Sequence, residues 1–593
     1  MGNAEQIYLS RRQEVEDKSR SCQKTPAQGW FALSRSRRYS PPEPPPRFAR
    51  RLNAIGTRMR IVKEIGSLVL LKAMAERMNI RGLIDALIPM ERERGLTHGQ
   101  VFEACVINRC HAPVPLYEME EWAEYSGMAD LYGCSAQLFN DDRIRSTLDV
   151  VHQYASDIQN ALALRAMTEF AVPADTVAYD MTSLYFEGDY DDSDTITFGY
   201  SRDGKPDKKQ VNVGLTVSTE GGVPLNGRVL AGKTADPATV EANVSALKKA
   251  LRRQDFLQIT DGGMLTPKNV HVLEQQGIHF LAPWQADTAI FESLTAGGTV
   301  IWEELPYWGA KGHDRYWATE LGILVTYDEV HEDQTPPERQ PGQRGRLPEH
   351  PVTQHSYWER AVIIRSSNKQ SRDEKTRNRR LAKLEEQLQT LSEGLNKRRL
   401  KTNQQVQSKL DRIFSGSYAA YRRCFAIELS GPDGQMTLHW EPNEEALDHL
   451  KKGEGLYVLL TNRKDSEADP ASRILELYKK RNPVENRFRD FKSHLRVRPL
   501  FVHTDDRVAS LVLITVVALQ LYSLIEWEAR KAQEAWTTRF LKKKFASICI
   551  LQTVHPNDDV EIEWCNVTPE HLRILETLGL RLIELPERLA GFT

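Results

Sequence analysis

The spacing of apolar and polar positions divides the chain into stretches of different period. From residue 61 to 170 apolar residues recur at helical spacing, as in SLVLLKAMAERMNIRGLIDALI. Thr97-His98-Gly99-Gln100 has the form of a capping box and predicts the start of a helix running through VFEACVI. At Thr176 the period shortens. TVAYDMTSLYF (176–186) is rich in β-branched and aromatic residues and reads as a strand. QVNVGLTVS (210–218) and VPLNGRVL (223–230) follow as strands, with Glu220-Gly221-Gly222 as the turn between them. A helical stretch (237–253) precedes the strand FLQITD (256–261), Thr266-Pro267 opens a further helix, and HFLAPW (279–284) is again a strand. The order β-β-β-α-β-α-β predicts a mixed α/β sheet that opens with an antiparallel meander.

Residues 285–455 interrupt this scheme with a loop rich in Pro, Gly and Arg (335–351) and a long charged helix. In that helix Leu381, Leu384, Leu388, Leu391 and Leu395 form a heptad seam. The seam suits either oligomerisation or an intramolecular hairpin with the apolar positions of 406–413. The strand GLYVLL (455–460) resumes the sheet pattern, and VASLVLITVVALQLYSLI (508–525) is about long enough to span a bilayer. Ser510, Thr515, Gln520 and Ser523 within it, and the charged helix after it, favour a buried core helix instead. The expected divisions are a tail (1–60), an all-α domain (61–170), a first core part (171–284), an insertion (285–455), a second core part (456–545) and a helical C-terminal tail (546–593).

Composition changes this picture in few places. A chain of 593 residues, 40% hydrophobic, is large enough for several folding units and is not globally disordered. Net charge is -2, from 79 Lys+Arg against 81 Asp+Glu, so a nucleic-acid partner has to be sought in local patches. The seven cysteines form no CxxC pair, which excludes a zinc ribbon or thioredoxin-like motif and suits a reducing cytoplasm. The first twenty residues are charged throughout, unlike a secretory leader, and Gln6 stands where a myristoylation motif has Ser or Thr. Residues 1–60 hold 13 Lys/Arg against 5 Asp/Glu and the run Pro-Pro-Glu-Pro-Pro-Pro, a composition expected to stay unfolded. They read either as a basic arm on DNA phosphates or as the product of a start codon upstream of a natural beginning near Met59.

The missing basic patch lies at 479–498, where eight Lys/Arg meet only Glu485 and Asp490. On one continuous helix at about 100° per residue, Tyr478, Arg481, Glu485 and Lys492 share a stripe about 60° wide. A tyrosine, two cations and a carboxylate on one face suit a phosphodiester held beside a metal-binding carboxylate. Leu477, Val484, Phe488, Phe491 and Leu495 give the same helix a packing side. Asn482-Pro483 can break it, with Asn482 capping a new helix.

The pattern Tyr478-x2-Arg481-x3-Glu485-x6-Lys492 resembles the signature of the bacterial insertion-sequence transposases with DDE catalytic sites. The likeness extends to GYSRDGKPDKKQVNVGL (199–215), ITDGGMLTPKN (259–269) and LFNDDRIRSTLD (138–149). The resemblance implies an α/β fold, an RNase H-like mixed sheet split by a large insertion; beside it, the all-α N-terminal domain is a candidate for end recognition, although the sequence shows no clear helix-turn-helix. The resemblance also implies Asp180, Asp261 and Glu485 as catalytic residues and ligands of two Mg2+ ions, with Mn2+ able to substitute. Tyr478, Arg481 and Lys492 would contact the DNA backbone. The implied partners are transposon-end DNA and target DNA, bound by a homodimer in a synaptic complex in the bacterial cytoplasm, with end cleavage and 3′-end strand transfer as the reaction. The same residues also suit a catalytically inactive, DNA-binding relic.

Two other motifs compete. Glu187, Asp189, Asp191, Asp192 and Asp194 form an acidic cluster that reads as a second metal site or, more simply, as a solvated loop. Gly227 to Thr234 (GRVLAGKT) satisfies the Walker A pattern, with LQITD (257–261) as a Walker B strand, and would make a P-loop ATPase. Its context opposes this: residues 228–230 continue a strand, and the following helix starts too late.

Overall fold

The computed structural model describes residues 59–89, 95–285, 290, 300–307, 314–331, 350–397, 400–495, 504–554 and 560–586. The expectations for the basic tail and for the 335–351 loop lie almost wholly outside these residues. Strand β1 (Met59–Glu64) leads into the helical region, whose main helices are Leu68–Met78, Ile80–Leu87, His98–His111, Asp141–Gln153 and Ala155–Glu169. The capping box forms as predicted: the Gln100 amide donates to Thr97 Oγ1 at 3.1 Å and the Thr97 amide to Gln100 Oε1 at 2.9 Å.

The meander predicted from residue 176 is present as β2 (Thr176–Tyr185), β3 (Gln210–Ser218) and β4 (Pro224–Ala231). After helix Val240–Leu251 come β5 (Leu257–Ile259), helix Pro267–Gln275 and β6 (His279–Trp284). Next along the chain are β7 (Glu303–Leu305), β8 (Tyr316–Val330), β9 (Val352–Ser366), β10 (Phe425–Ser430), β11 (Thr437–Pro442) and β12 (Leu456–Thr461). Among the described residues, one nine-stranded sheet has the order β4-β3-β2-β5-β6-β12-β9-β8-β7. Its β2, β5 and β6 run parallel and its other neighbours pair antiparallel, so the sheet is mixed.

Two boundaries differ from the sequence reading. Residues 285–455 were expected to stand apart as an insertion, yet β7, β8 and β9 extend the main sheet beyond β12. The chain leaves the sheet from helix Ser367–Gly394 onward. There Leu384, Leu388, Leu391 and Leu395 bury against Val406, Leu410 and Ile413 of helix Asn403–Ile413, so the heptad seam closes within the chain. The C-terminal tail, expected to be helical, contains β13 (Cys549–Val554) and β14 (Val560–Cys565) before helix Pro569–Thr577. Strand β13 takes up β1 on one side and β14 on the other. Short strands with β-branched residues are stable here because this long-range pairing satisfies their backbone groups.

Helix Asp505–Lys531 is long and apolar enough to cross a membrane, but 94% of its apolar window is buried within the protein. It packs among helices Leu68–Met78, His98–His111, Asp141–Gln153 and Ala155–Glu169, and against β4. Its polar side chains are spent locally or on neighbours, as burial requires. Ser510 donates to the Leu148 carbonyl at 2.7 Å and Gln520 to the Pro224 carbonyl at 3.0 Å, while Thr515 and Ser523 bond back one turn. Leu519, fully buried at the middle of this helix, tests its weight. Leu519→Ala is expected to lower unfolding free energy by about 2–5 kcal/mol, measured by denaturant titration; a change within about 0.5 kcal/mol would contradict this packing.

Candidate active site

Asp180 stands in the middle of β2. Side chains alternate along the strand, so Val177, Tyr179 and Met181 pack with the helices Val240–Leu251 and Pro267–Gln275, while Ala178 and Leu184 face Val484 and Phe488. Asp180 therefore points toward helix Asn482–Arg489. The parallel register of β2 and β5 pairs Thr176 with Leu257 and Ala178 with Ile259. Continued two residues beyond β5, the same register sets Asp261 beside Asp180, about 4.8 Å away in the strand-to-strand direction. Asp261 caps the short turn after β5, accepting from the Gly262 amide at 2.8 Å.

The third carboxylate arrives from a distant part of the sequence. Helix Ala471–Lys479 ends, and helix Asn482–Arg489 begins with Pro483 in its first turn and Glu485 just behind it. Arg481, at the junction, joins the acids: its guanidinium lies 3.0 Å from Asp261 Oδ1 and 3.4 Å from Glu485 Oε1. The same guanidinium stacks 5.1 Å from the Tyr478 ring centroid. Asp180, Asp261, Arg481 and Glu485 line one small pocket together with Ala178, Tyr179, Ile259, Thr260 and Val484. Its volume of about 10 Å³ is on the scale of a single bound water or ion.

The helix is held from its other side. Arg487, buried, donates to the Gly222 carbonyl at 2.7 Å and pairs with Asp490 and Glu526, each at 3.0 Å. This network fastens the helix to the turn between β3 and β4 and to helix Asp505–Lys531. A cavity of about 420 Å³ opens on this side, lined by Gly222, Arg487, Asp490, His494, Tyr522 and Glu526 among others. It is much larger than the pocket between the carboxylates, but its buried charges are already engaged with one another.

The continuous stripe expected from residue 478 to 492 does not exist. The chain breaks between Lys479 and Asn482, where proline stops the first helix from continuing, and turns into a π-helical segment at Asp490–His494. Tyr478, Arg481 and Glu485 still meet, whereas Lys492 ion-pairs with Asp203 at 2.8 Å in the loop between β2 and β3. That same loop supplies Arg202, which sequence reasoning did not single out. Arg202 lowers the electrostatic cost of ionising Asp180 and is itself tied to Asn212 at 3.3 Å and to Asp236. Its signal was available, since it lies in the 199–215 segment that carries part of the resemblance.

The rival motifs fare differently. In the acidic loop, Glu187 pairs with Lys208 at 2.7 Å and Asp191 with Lys209 at 2.6 Å, as exposed ion pairs. In the Walker-like segment, β4 runs through Ala231, and the Gly232 amide donates to the Thr195 carbonyl at 3.0 Å rather than facing a phosphate. A Cβ on Gly232 would stand 2.1 Å from the Gln210 carbonyl oxygen, so this glycine serves close backbone packing.

On one mixed α/β sheet, carboxylates converge from the middle of β2, from the turn after the adjacent β5 and from a late helix, a donor set suited to metal-assisted phosphoryl transfer. The chain matches the transposase DDE domain family over residues 173–521, more than half its length. It belongs to that family and is a DDE transposase. Residues 60–164, which hold most of the helical region, match a domain of unknown function (DUF4277). No curated protein matches the chain. Among solved structures, that of the piggyBac transposase synaptic complex with hairpin DNA aligns at a TM-score of 0.35 and 11% identity. The alignment covers 81% of this chain and 79% of that one.

Burial pushes the Asp180 carboxyl up to about 6, with the nearby Asp261 charge adding to the shift; the Met181 amide, Arg481 and Arg202 oppose it. The folded chain thus holds this proton more tightly than the unfolded one. The stabilisation is complete below about pH 4 and is lost as pH rises through about 6. In metal-free buffer near pH 8, Asp180→Asn is expected to raise unfolding free energy by about 1–3 kcal/mol, and near pH 4 the two proteins should unfold alike. A less stable Asn variant near pH 8, read by thermal or denaturant unfolding, contradicts this electrostatic picture.

Proposed function

We propose that this chain is the transposase of an insertion sequence, that it cleaves DNA at the element ends, and that it joins the freed 3′ ends to target DNA. The observation that carries the proposal is the convergence of Asp180, Asp261 and Glu485 from three separate elements around Arg481. The donor set is entirely carboxylate oxygen, which suits Mg2+, with Mn2+ as a substitute. Burial raises the Asp180 carboxyl, so a cation beside it would favour the ionised form, and Arg481 already lies against Asp261 and Glu485. The residues present therefore fit a divalent ion held by Asp180, Asp261 and Glu485, and the pair that two-metal phosphoryl transfer uses would need the pocket to open when DNA and metal bind.

Bound there, such ions would activate the attacking oxygen and stabilise the leaving one in an in-line displacement. The remaining work falls to the chain. Arg481, backed by the Tyr478 ring, would exchange a carboxylate for a backbone phosphate when DNA arrives. Lys492, held by Asp203, would meet the backbone further along. A homodimer is the natural arrangement for two ends cut and joined together, with the N-terminal helical region reading the ends.

The test is a Mg2+-dependent cleavage assay on DNA carrying the flanking terminal repeats. Asp180→Asn or Glu485→Gln is expected to reduce cleavage by on the order of 10³-fold while leaving end binding largely intact. Retained cleavage in either variant would remove that residue from the site. A wild-type chain that binds ends but never cleaves them with Mg2+ or Mn2+ would point instead to an inactive relic.

A further inference from the structure

Away from the carboxylates, the long hairpin of β8 and β9 meets helix Pro267–Gln275. Helix Pro267–Gln275 is fixed by its Thr266 cap and by Asn269, whose side-chain amide donates to the carbonyls of Met264 at 2.6 Å and Pro237 at 2.8 Å. It presents His271 to the hairpin. On the hairpin, Tyr327 and His355 are directly paired across the strands, and Glu329 lies diagonally across from His355. His355 Nε2 stands 3.0 Å from Glu329 Oε2, and the His271 and His355 ring centroids are 4.2 Å apart. One donor atom from each of His271, Glu329 and His355 falls within 4.8 Å of the other two, and all three residues are half-buried.

We propose that His271, Glu329 and His355 form a second metal site, for a borderline transition ion such as Zn2+, that staples the β8–β9 hairpin to helix Pro267–Gln275. Two imidazoles and a carboxylate are a common ligand set for four-coordinate Zn2+, with water in the fourth position. Ligand bonds of about 2.0–2.1 Å place neighbouring donors of one tetrahedral ion roughly 3.3 Å apart, close to the separation of His355 from Glu329. The Tyr357 hydroxyl, 2.7 Å from His271 Nδ1, orients that ring, and with Nδ1 so engaged Nε2 would be the nitrogen offered to the ion. Such outer partners fix metal-binding histidines in a usable tautomer. The chemistry separates this site from the first one, because imidazole nitrogen favours Zn2+ over Mg2+ while the carboxylate triad favours the harder ion. The site would also bear on the transposase core: helix Pro267–Gln275 follows the turn capped by Asp261, so the ion would tie the hairpin to the helix next along the chain from that acid.

The full chain, stripped of metal and held in excess Mg2+ to occupy the carboxylates, is titrated with Zn2+ alone by calorimetry. One Zn2+ per chain is expected, with a Zn2+-dependent rise in unfolding temperature. His355→Ala and Glu329→Gln should each weaken this binding by about 100-fold or more, and Tyr357→Phe by about 10-fold. Co2+ bound to the wild-type chain should give a histidine-ligated spectrum, a readout that needs no variant to fold. Absence of Zn2+ binding in the wild-type chain, or equal binding after His271 and His355 are both replaced by Ala, overturns the proposal. So does a Co2+ spectrum with no nitrogen ligation.

Discussion

Burial of helix Asp505–Lys531 is the constraint on which the rest of this structure depends. A helix apolar on all its sides can exist in water only if every side is covered. Here the N-terminal helices cover part of it and β4 another, and the catalytic core thereby acquires its second layer. The buried serines, threonine and glutamine do not argue against this, because each finds a backbone carbonyl on its own helix or on a neighbour. The N-terminal helices and the sheet are thus parts of one hydrophobic core.

That core fixes the site through one buried charge network. Arg487 links helix Asn482–Arg489 to Gly222 and to Glu526 of the apolar helix. Removing either partner would leave a buried charge unpaired, a costly state that holds the helix in one orientation. With Arg487 facing inward, Glu485 faces the middle of β2 and the end of β5. Burial makes an ionised Asp180 costly, and the nearby Asp261 charge adds to that cost. Arg481 and Arg202 offset part of it. The site is a place where the fold gives up stability to hold charge ready for a cation.

Much of this was legible in the sequence. The β2–β6 series was visible because alternation, β-branched residues and the glycine turn at 220–222 all agreed. Asp180, Asp261 and Glu485 were reached through resemblance, and the β2–β5 register gives the physical reason the first two can meet. Long-range pairing could not be read. Strand β1 pairs with β13 across almost the whole chain, and neither strand announces its partner. Strands β7 to β9 were set apart because the loops around them broke the pattern, although their hydrogen bonds continue the sheet. The angle of Lys492 holds only for one continuous helix, and the alternative break at Asn482-Pro483 is the one that forms. A proline break and a π-helical turn each rotate the residues C-terminal to them, and Lys492 turns to Asp203 as a result.

Whether Asp180, Asp261 and Glu485 act as one metal site is decided by the ion they hold. Anomalous diffraction from crystals of the full chain soaked in Mn2+ tests it most directly. Manganese is expected to be bound by carboxylate oxygens of all three residues at about 2.1 Å, with Arg481 moved off Asp261. Manganese confined to other acids, such as those of the 187–194 loop, with the three carboxylates left bare, would contradict it.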